Sequence, residues 1–291
     1  MARSHVLVGA ADRPATPAIR RLEIQDLKEA LQKGWSDFSE MPSHAIFLCV
    51  IYPVAGIILA QLVFGYAMLP FLFPLAAGFA LLGPLAALGL YEMSRRREAG
   101  FETDARHALD VLYSPSIGAI VTLGILLMLL FFTWLAVADG IYVAYFGYAM
   151  PSSFGQFMHD VFLTSAGWKL IVVGNIAGFV FAVVALVISA VSFPLLLDRD
   201  VGAAVALHTS IRAVLDNPRV MAIWGLIVAV LLVLGSLPFF IGLAVVMPVL
   251  GHATWHLYRK AVDASRCPAA KFRNPSPRRR YAADFPTSLF G

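Results

Sequence analysis

Two histidines, His252 and His256, stand four residues apart in the string Gly251-His252-Ala253-Thr254-Trp255-His256-Leu257-Tyr258-Arg259-Lys260. On a helix that spacing places both imidazoles on one face, where they could ligate a metal or contact a haem. His44 and Glu92 fall at comparable depth in other apolar runs, so these four residues form one candidate ligand set. Two histidines alone do not complete a metal site. The weightier reading makes them polar anchors or hydrogen-bond partners between helices. No cofactor is therefore expected, and haem or a divalent metal at His252/His256 is the minority alternative. A second set, Asp198, Arg199 and Asp200, could pair with basic residues elsewhere or hold a divalent cation. As a solvated helix start, its acids would simply favour the N-terminal dipole. Asn175 is the most polar side chain well inside an apolar run, and a hydrogen bond to a neighbouring helix is its expected role. Asp139, His159 and Asp160 read as solvated loop residues. No GxxxxGK[ST], HExxH, GxSxG or paired CxxC occurs, so no catalytic residue is named and an enzyme is not expected.

These residues sit in a chain with mean hydropathy +0.77. Only 14% of its 291 residues are charged, against about 25% in soluble domains. No Asp, Glu, Lys or Arg occurs from Met41 to Tyr91, or between Arg219 and Arg259. At roughly 1.5 Å per residue each run must cross a ~30 Å hydrocarbon layer twice. The fold class is all-α, a polytopic membrane protein with six spans: about 44–65, 70–91, 116–138, 168–194, 218–235 and 238–258. They read as three tandem hairpins, each preceded by a cytoplasmic interfacial helix and a proline: Met41-Pro42, Ser114-Pro115 and Asn217-Pro218. The first and third pairs also match at Gly83-Pro84 and Met247-Pro248. Each of these is followed by an aromatic (Tyr91, Trp255) and an arginine (Arg95, Arg259) at equal offsets.

From 23 to 39 the residues Ile24, Leu27, Leu31, Trp35 and Phe38 give an apolar stripe. Asp26, Lys28, Glu29, Lys33 and Asp37 lie opposite, as in a helix lying in the membrane interface. A second interfacial helix is expected at about 153–164, with Ser153 and Gln156 as a capping box. Residues 1–22 read as disordered and 261–291 as a basic Pro/Arg-rich cytoplasmic tail. No signal-peptide core precedes span one, which would serve as its own uncleaved signal. Gly78, Gly83, Gly174 and Gly178 are expected to let helices approach closely. Cys49 and Cys267 lie in different environments and suggest no metal or redox motif.

Lysine and arginine number six before span one, four between spans two and three, three from Arg199 to Arg219 and eight after span six. Lys169 alone falls on the other side. The positive-inside rule then puts both termini in the cytoplasm. Trp134 and Trp168 are expected at the outer interface, and Trp35, Trp224 and Trp255 at the inner one.

Two strings carry a resemblance: Ser192-Phe193-Pro194-Leu195-Leu196-Leu197-Asp198-Arg199-Asp200-Val201, and the run from Pro248 to Arg259 that holds GHATWHLYR. On these the chain, over about 20–265, resembles the DUF2189 family of uncharacterised bacterial integral membrane proteins. The resemblance implies a membrane fold and little about activity. An oxidase label carried by some relatives finds no support, because the histidines are not gathered deep in the spans. The expected function is a non-enzymatic accessory or organising component that packs against lipid, other membrane proteins or itself. A small-solute transporter or channel is the alternative, and a haem or metal protein a weaker one. Expected partners are the bilayer and, through Arg95-Arg96-Arg97 and the tail, anionic lipids at the cytoplasmic face. No nucleic acid is expected.

Overall fold

The computed structural model describes residues 16–41, 66–148, 151–237, 242–270 and 272. Span one (about 44–65), His44 and Cys49 lie outside the described residues, as does most of the basic tail. A two-residue strand β1 (Ala18–Ile19) leads into helix α1 (Ile24–Glu40). Asp26 Oδ2 accepts the Glu23 N–H at 2.9 Å and so closes the helix start. After a 3-10 segment (Tyr66–Phe71), α2 (Leu72–Leu81), α3 (Gly83–Ala86) and α4 (Leu88–Glu98) form one interrupted run. The interruption falls at Pro84, which has no N–H to donate to the preceding turn.

A second 3-10 segment (Ala105–Tyr113) precedes α5 (Ile117–Phe146), α6 (Phe154–Leu163) and α7 (Ser165–Ser189). The chain continues through α8 (Ser192–Asp198), α9 (Ala203–Asp216), α10 (Pro218–Ser236), α11 (Leu243–Ala261) and strand β2 (Val262–Asp263). Among the described residues three helical stretches are long and apolar enough to cross a membrane: Ile117–Phe146, Ser165–Asp198 and Pro218–Ser236. Expected span two falls on the interrupted α2–α4 run, and span six on α11. The α5 helix does not stop at Asp139. It continues to Phe146 and ends where Gly147 adopts φ +68°, a conformation that disfavours a Cβ. Two of the four glycines read as packing devices serve that role: Gly78 lies against Phe131 and Trp134, and Gly178 against Trp134.

Outward faces of α7 and α10 carry exposed apolar side chains such as Val172, Ile176, Phe179 and Leu226. The densest packing lies at one end of the bundle. There Ser192 to Leu197 of α8 are all buried, together with Leu90, Trp224, Trp255 and Tyr258. Pro194 forces the break between α7 and α8. Ser210 of α9 mends that break: its Oγ accepts from Val191 N–H at 3.2 Å and donates to Val187 C=O at 2.8 Å. Of the tryptophans expected at the interfaces, Trp35 and Trp168 are exposed. Trp134, Trp224 and Trp255 are buried among helices, and Trp134 Nε1 donates to Pro74 C=O at 2.8 Å.

The described parts of the two terminal segments, 16–22 and 261–270, are held at this same end. β1 pairs antiparallel with β2, Ala18 opposite Asp263 and Ile19 opposite Val262. Ala270 N–H donates to Asp198 C=O, and Asp200 N–H to Pro268 C=O, both at 3.0 Å. The buried amide of Asn217 binds the other strand of the approach. Its Oδ1 accepts from Leu22 N–H at 2.7 Å, and its Nδ2 donates to Arg20 and Ala213 carbonyls at 3.1 Å. Backbone pairing, rather than side-chain apolarity, orders these segments, which is why composition did not mark them.

Candidate functional site

The site is built where α1 lies along α11. A Cβ on Gly34 would stand 2.7 Å from Ala253 Cβ and N, and 2.8 Å from Val249 C=O. Only glycine allows that approach, because two of the three nearest atoms belong to backbone that cannot rotate away. The buried side of α1 is therefore Leu27, Ala30, Gly34 and Asp37, continued by Met41. This corrects the expected apolar stripe. Ile24 and Trp35 are exposed, and Asp37, read as solvent-facing, is buried at 4% exposure.

Asp37 is the centre of the cluster. Ser94 of α4 donates its hydroxyl to Asp37 Oδ2 at 2.5 Å, and His256 Nε2 lies 2.8 Å from the same oxygen. Arg97 Nη1 donates to Oδ1 at 2.5 Å, and the Arg97 guanidinium also pairs with Glu40. His252 Nδ1 lies 2.8 Å from Ser94 Oγ and 4.0 Å from Asp37 Oδ2. Burial works against a charge on Asp37. Hydrogen bonds from His256 and Ser94, with the fields of the two histidines, outweigh it and hold the carboxyl below its ordinary range.

The rest of the GHATWHLYRK string is spent in the same way. Trp255 Nε1 and Arg259 Nε donate to the two oxygens of Glu98 at 2.9 and 3.0 Å. Asp198 Oδ2 accepts from Tyr258 OH at 2.6 Å, Arg199 Nε at 3.1 Å and Arg259 Nη1 at 3.3 Å. Lys260 Nζ reaches Glu29 at 2.6 Å and Asp26 at 3.2 Å on α1. One helix thus ties together α1, α4 and α8 through residues 252–260.

His252 and His256 do share a face, and the structure brings them to one carboxylate. The expected four-residue set is not assembled among the described residues. Glu92 turns away, both its oxygens taken by Arg95 at 2.8 Å, and His44 is not described. The ring nitrogens nearest the centre, His252 Nδ1 and His256 Nε2, face a hydroxyl and a carboxylate rather than a common open point. Ser94 has the partners of an activated hydroxyl, but it is buried and its proton is committed to Asp37.

Asp198 and Arg199 meet each other, Asp198 also meets Arg259 of α11, Arg199 donates to Cys267 C=O, and Asp200 is fixed through its backbone. Asn175 does not reach another helix among the described residues. It is exposed, and its Nδ2 donates to Ile171 C=O of its own helix at 2.7 Å. The three consecutive arginines separate. Arg95 pairs with Glu92 and lies 4.1 Å over the Phe272 ring, Arg96 pairs with Asp110 at 3.0 Å, and Arg97 joins the Asp37 cluster. They are not one free cationic patch.

Beside the cluster, between α1, α4 and α11, opens a cleft of about 470 Å³ with Lys33, Ser36, Asp37 and Arg97 on its wall. The residues that sequence reasoning missed are Asp37, Ser94 and Glu98. The signal for Asp37 is the spacing Leu27, Ala30, Gly34, Asp37, Met41, a helical stripe of mostly small residues.

A family model described as a predicted integral membrane protein, DUF2189, matches residues 72–198, from α2 to the end of α8. The match takes in the Ser192–Asp198 string and does not extend to the 248–259 string. No curated protein and no solved structure matches the chain. Over residues 72–198 the chain is thus similar to the DUF2189 family of predicted integral membrane proteins.

Proposed function

We propose that the protein is a six-span component of a bacterial inner membrane, with three helical hairpins and both termini in the cytoplasm. It acts as a non-enzymatic accessory or organising element that packs against lipid and other membrane proteins. One observation carries the functional part: the polar side chains of residues 252–260 are spent on internal partners, binding α1, α4 and α8 into one block. A reaction centre or a solute path would present such groups to open space. A scaffold uses them to fix its own shape.

The arrangement of the spans is supported by the three long apolar helices and by the placing of 21 of 22 lysines and arginines on one side of the proposed map. Reporters fused at Pro151 and Gly291 should report opposite compartments, and a common compartment overturns the topology. Purification in gentle detergent should yield the chain with a stoichiometric membrane partner or as a self-assembly. A lone monomer that conducts or transports a solute after reconstitution overturns the organising role.

A further inference from the structure

We infer that the small cleft between the end of α5 and α6 binds the methylated ammonium head of an organic cation. Its walls are Tyr142 and Phe146 from the last turns of α5, Ser152 from the connection, and Gln156, Phe157 and Asp160 from α6. Four residues apart on one helix, Tyr142 and Phe146 stack with 5.2 Å between ring centroids and 20° between planes. Gly147 then ends α5, and Ser153 Oγ accepts from Gln156 N–H at 3.1 Å to start α6. The helical spacing of 156, 157 and 160 brings the α6 members of the wall to one side. All three rings are half-buried.

Asp160, expected in a solvated loop, stands on a fixed backbone: Thr164 Oγ1 donates to its C=O at 2.5 Å, and its side chain is only 33% exposed. The carboxylate's polar neighbours are distant, Gln156 Nε2 and the exposed His159 Nδ1 each at 3.4 Å. Among the described residues no lysine or arginine pairs with it, and none lines the cleft. A partly desolvated carboxylate that shares a cleft with three aromatic rings is complementary to a cation, which the charge and the ring faces attract together. A methylated ammonium presents apolar surface and asks for few hydrogen bonds, as such a wall requires. The volume of about 210 Å³ is below the roughly 300–1,000 Å³ of drug-sized sites, so the occupant is a small headgroup. A free choline-like solute and the headgroup of a choline lipid offer the same chemistry. The site rests on this geometry and not on the proposed topology or organising role.

The test uses the full chain in an uncharged detergent. Choline and ethanolamine binding are read by titration calorimetry, and retention of phosphatidylcholine against phosphatidylglycerol by native mass spectrometry. Choline should bind, and ethanolamine more weakly. Asp160→Asn should weaken choline about tenfold and Phe157→Leu about fivefold, the losses expected for one charge and one ring. Asp139→Asn, exposed on α5 and outside the cleft, should leave binding unchanged. If Asp160→Asn lowers the unfolding temperature, Phe157→Leu, which keeps an apolar side chain, decides alone. Phosphatidylcholine retained over phosphatidylglycerol and released by Phe157→Leu, without choline binding, keeps the site and assigns it to the lipid headgroup. Ethanolamine bound as tightly as choline refutes recognition by the rings. Absence of both choline binding and phosphatidylcholine preference, or equal losses in Asp160→Asn and Asp139→Asn, overturns the site.

Discussion

Replacing Asp37 by alanine should loosen the whole α1–α4–α11 junction. Asp37 is buried and accepts hydrogen bonds from Ser94 and Arg97, with His256 at 2.8 Å. Breaking a buried pair by removing one partner costs about 3–5 kcal/mol, mostly because a charge is stranded. Here the stranded side chain, Arg97, is 29% exposed and keeps Glu40, which places the cost near the lower end, about 3 kcal/mol. At about 2–4 °C per kcal/mol for a chain of this size, the unfolding temperature in mild detergent should fall by about 6–12 °C. Arg97→Ala should destabilise as well, and the double variant should lose less than the two singles together, by at least about 1 kcal/mol. Asp216→Ala, which removes one end of an exposed pair with Arg212, is the control and should cost about 1 kcal/mol or less. An Asp37→Ala shift within a degree of wild type, or strictly additive losses in the cycle, would refute the view that this carboxylate fastens the junction.

The pH dependence of the same group has a definite sign. Its folded carboxyl sits below the ordinary range, so its stabilisation is whole above the unfolded value, about pH 4, and is lost as pH falls through the folded value. The gap in unfolding temperature between wild type and Asp37→Asn should be constant near neutrality and close below about pH 4. Gly34→Val drives a side chain into the backbone of α11. It should cost about 1–3 kcal/mol and expose α1 to limited proteolysis. Asn175→Leu should change stability by no more than about 0.5 kcal/mol, because the amide bonds only its own helix and faces outward. A loss of several degrees in that variant would place a second helix against it.

The long apolar helices were legible because each holds a long run of apolar residues without charge. The expected 218–235 agrees with α10 at Pro218–Ser236 to one residue. Their ends were less so. Asp139 did not stop α5, since a helix can carry a charge beyond an apolar layer while its backbone bonds remain satisfied, and the glycine at 147 ended it instead. The His252/His256 face was visible from spacing alone. Its partners were not, because Asp37 comes from a helix whose contact with α11 depends on the missing side chain of Gly34, and Ser94 and Glu98 from one whose Leu90 lies against Gly251 of α11. The apolar stripe of α1 pointed the other way, since the outward face of that helix also carries large apolar residues. The arginine triplet read as a patch because adjacency in sequence hides the roughly 100° turn between successive helical residues, which sends each one to a different neighbour.

The docking of α1 on α11 also constrains the order of events during synthesis. Asp37 and His256 are 219 residues apart, and a ribosome adds roughly 5–20 residues per second. The seat for the first helix therefore does not exist until tens of seconds after that helix has emerged. In the interval Asp37 is without His256, and Gly34 has nothing to close against. Among the described helices the last made is the one that locks the first, so a truncation that removes α11 should leave α1 undocked, not merely shorten the chain.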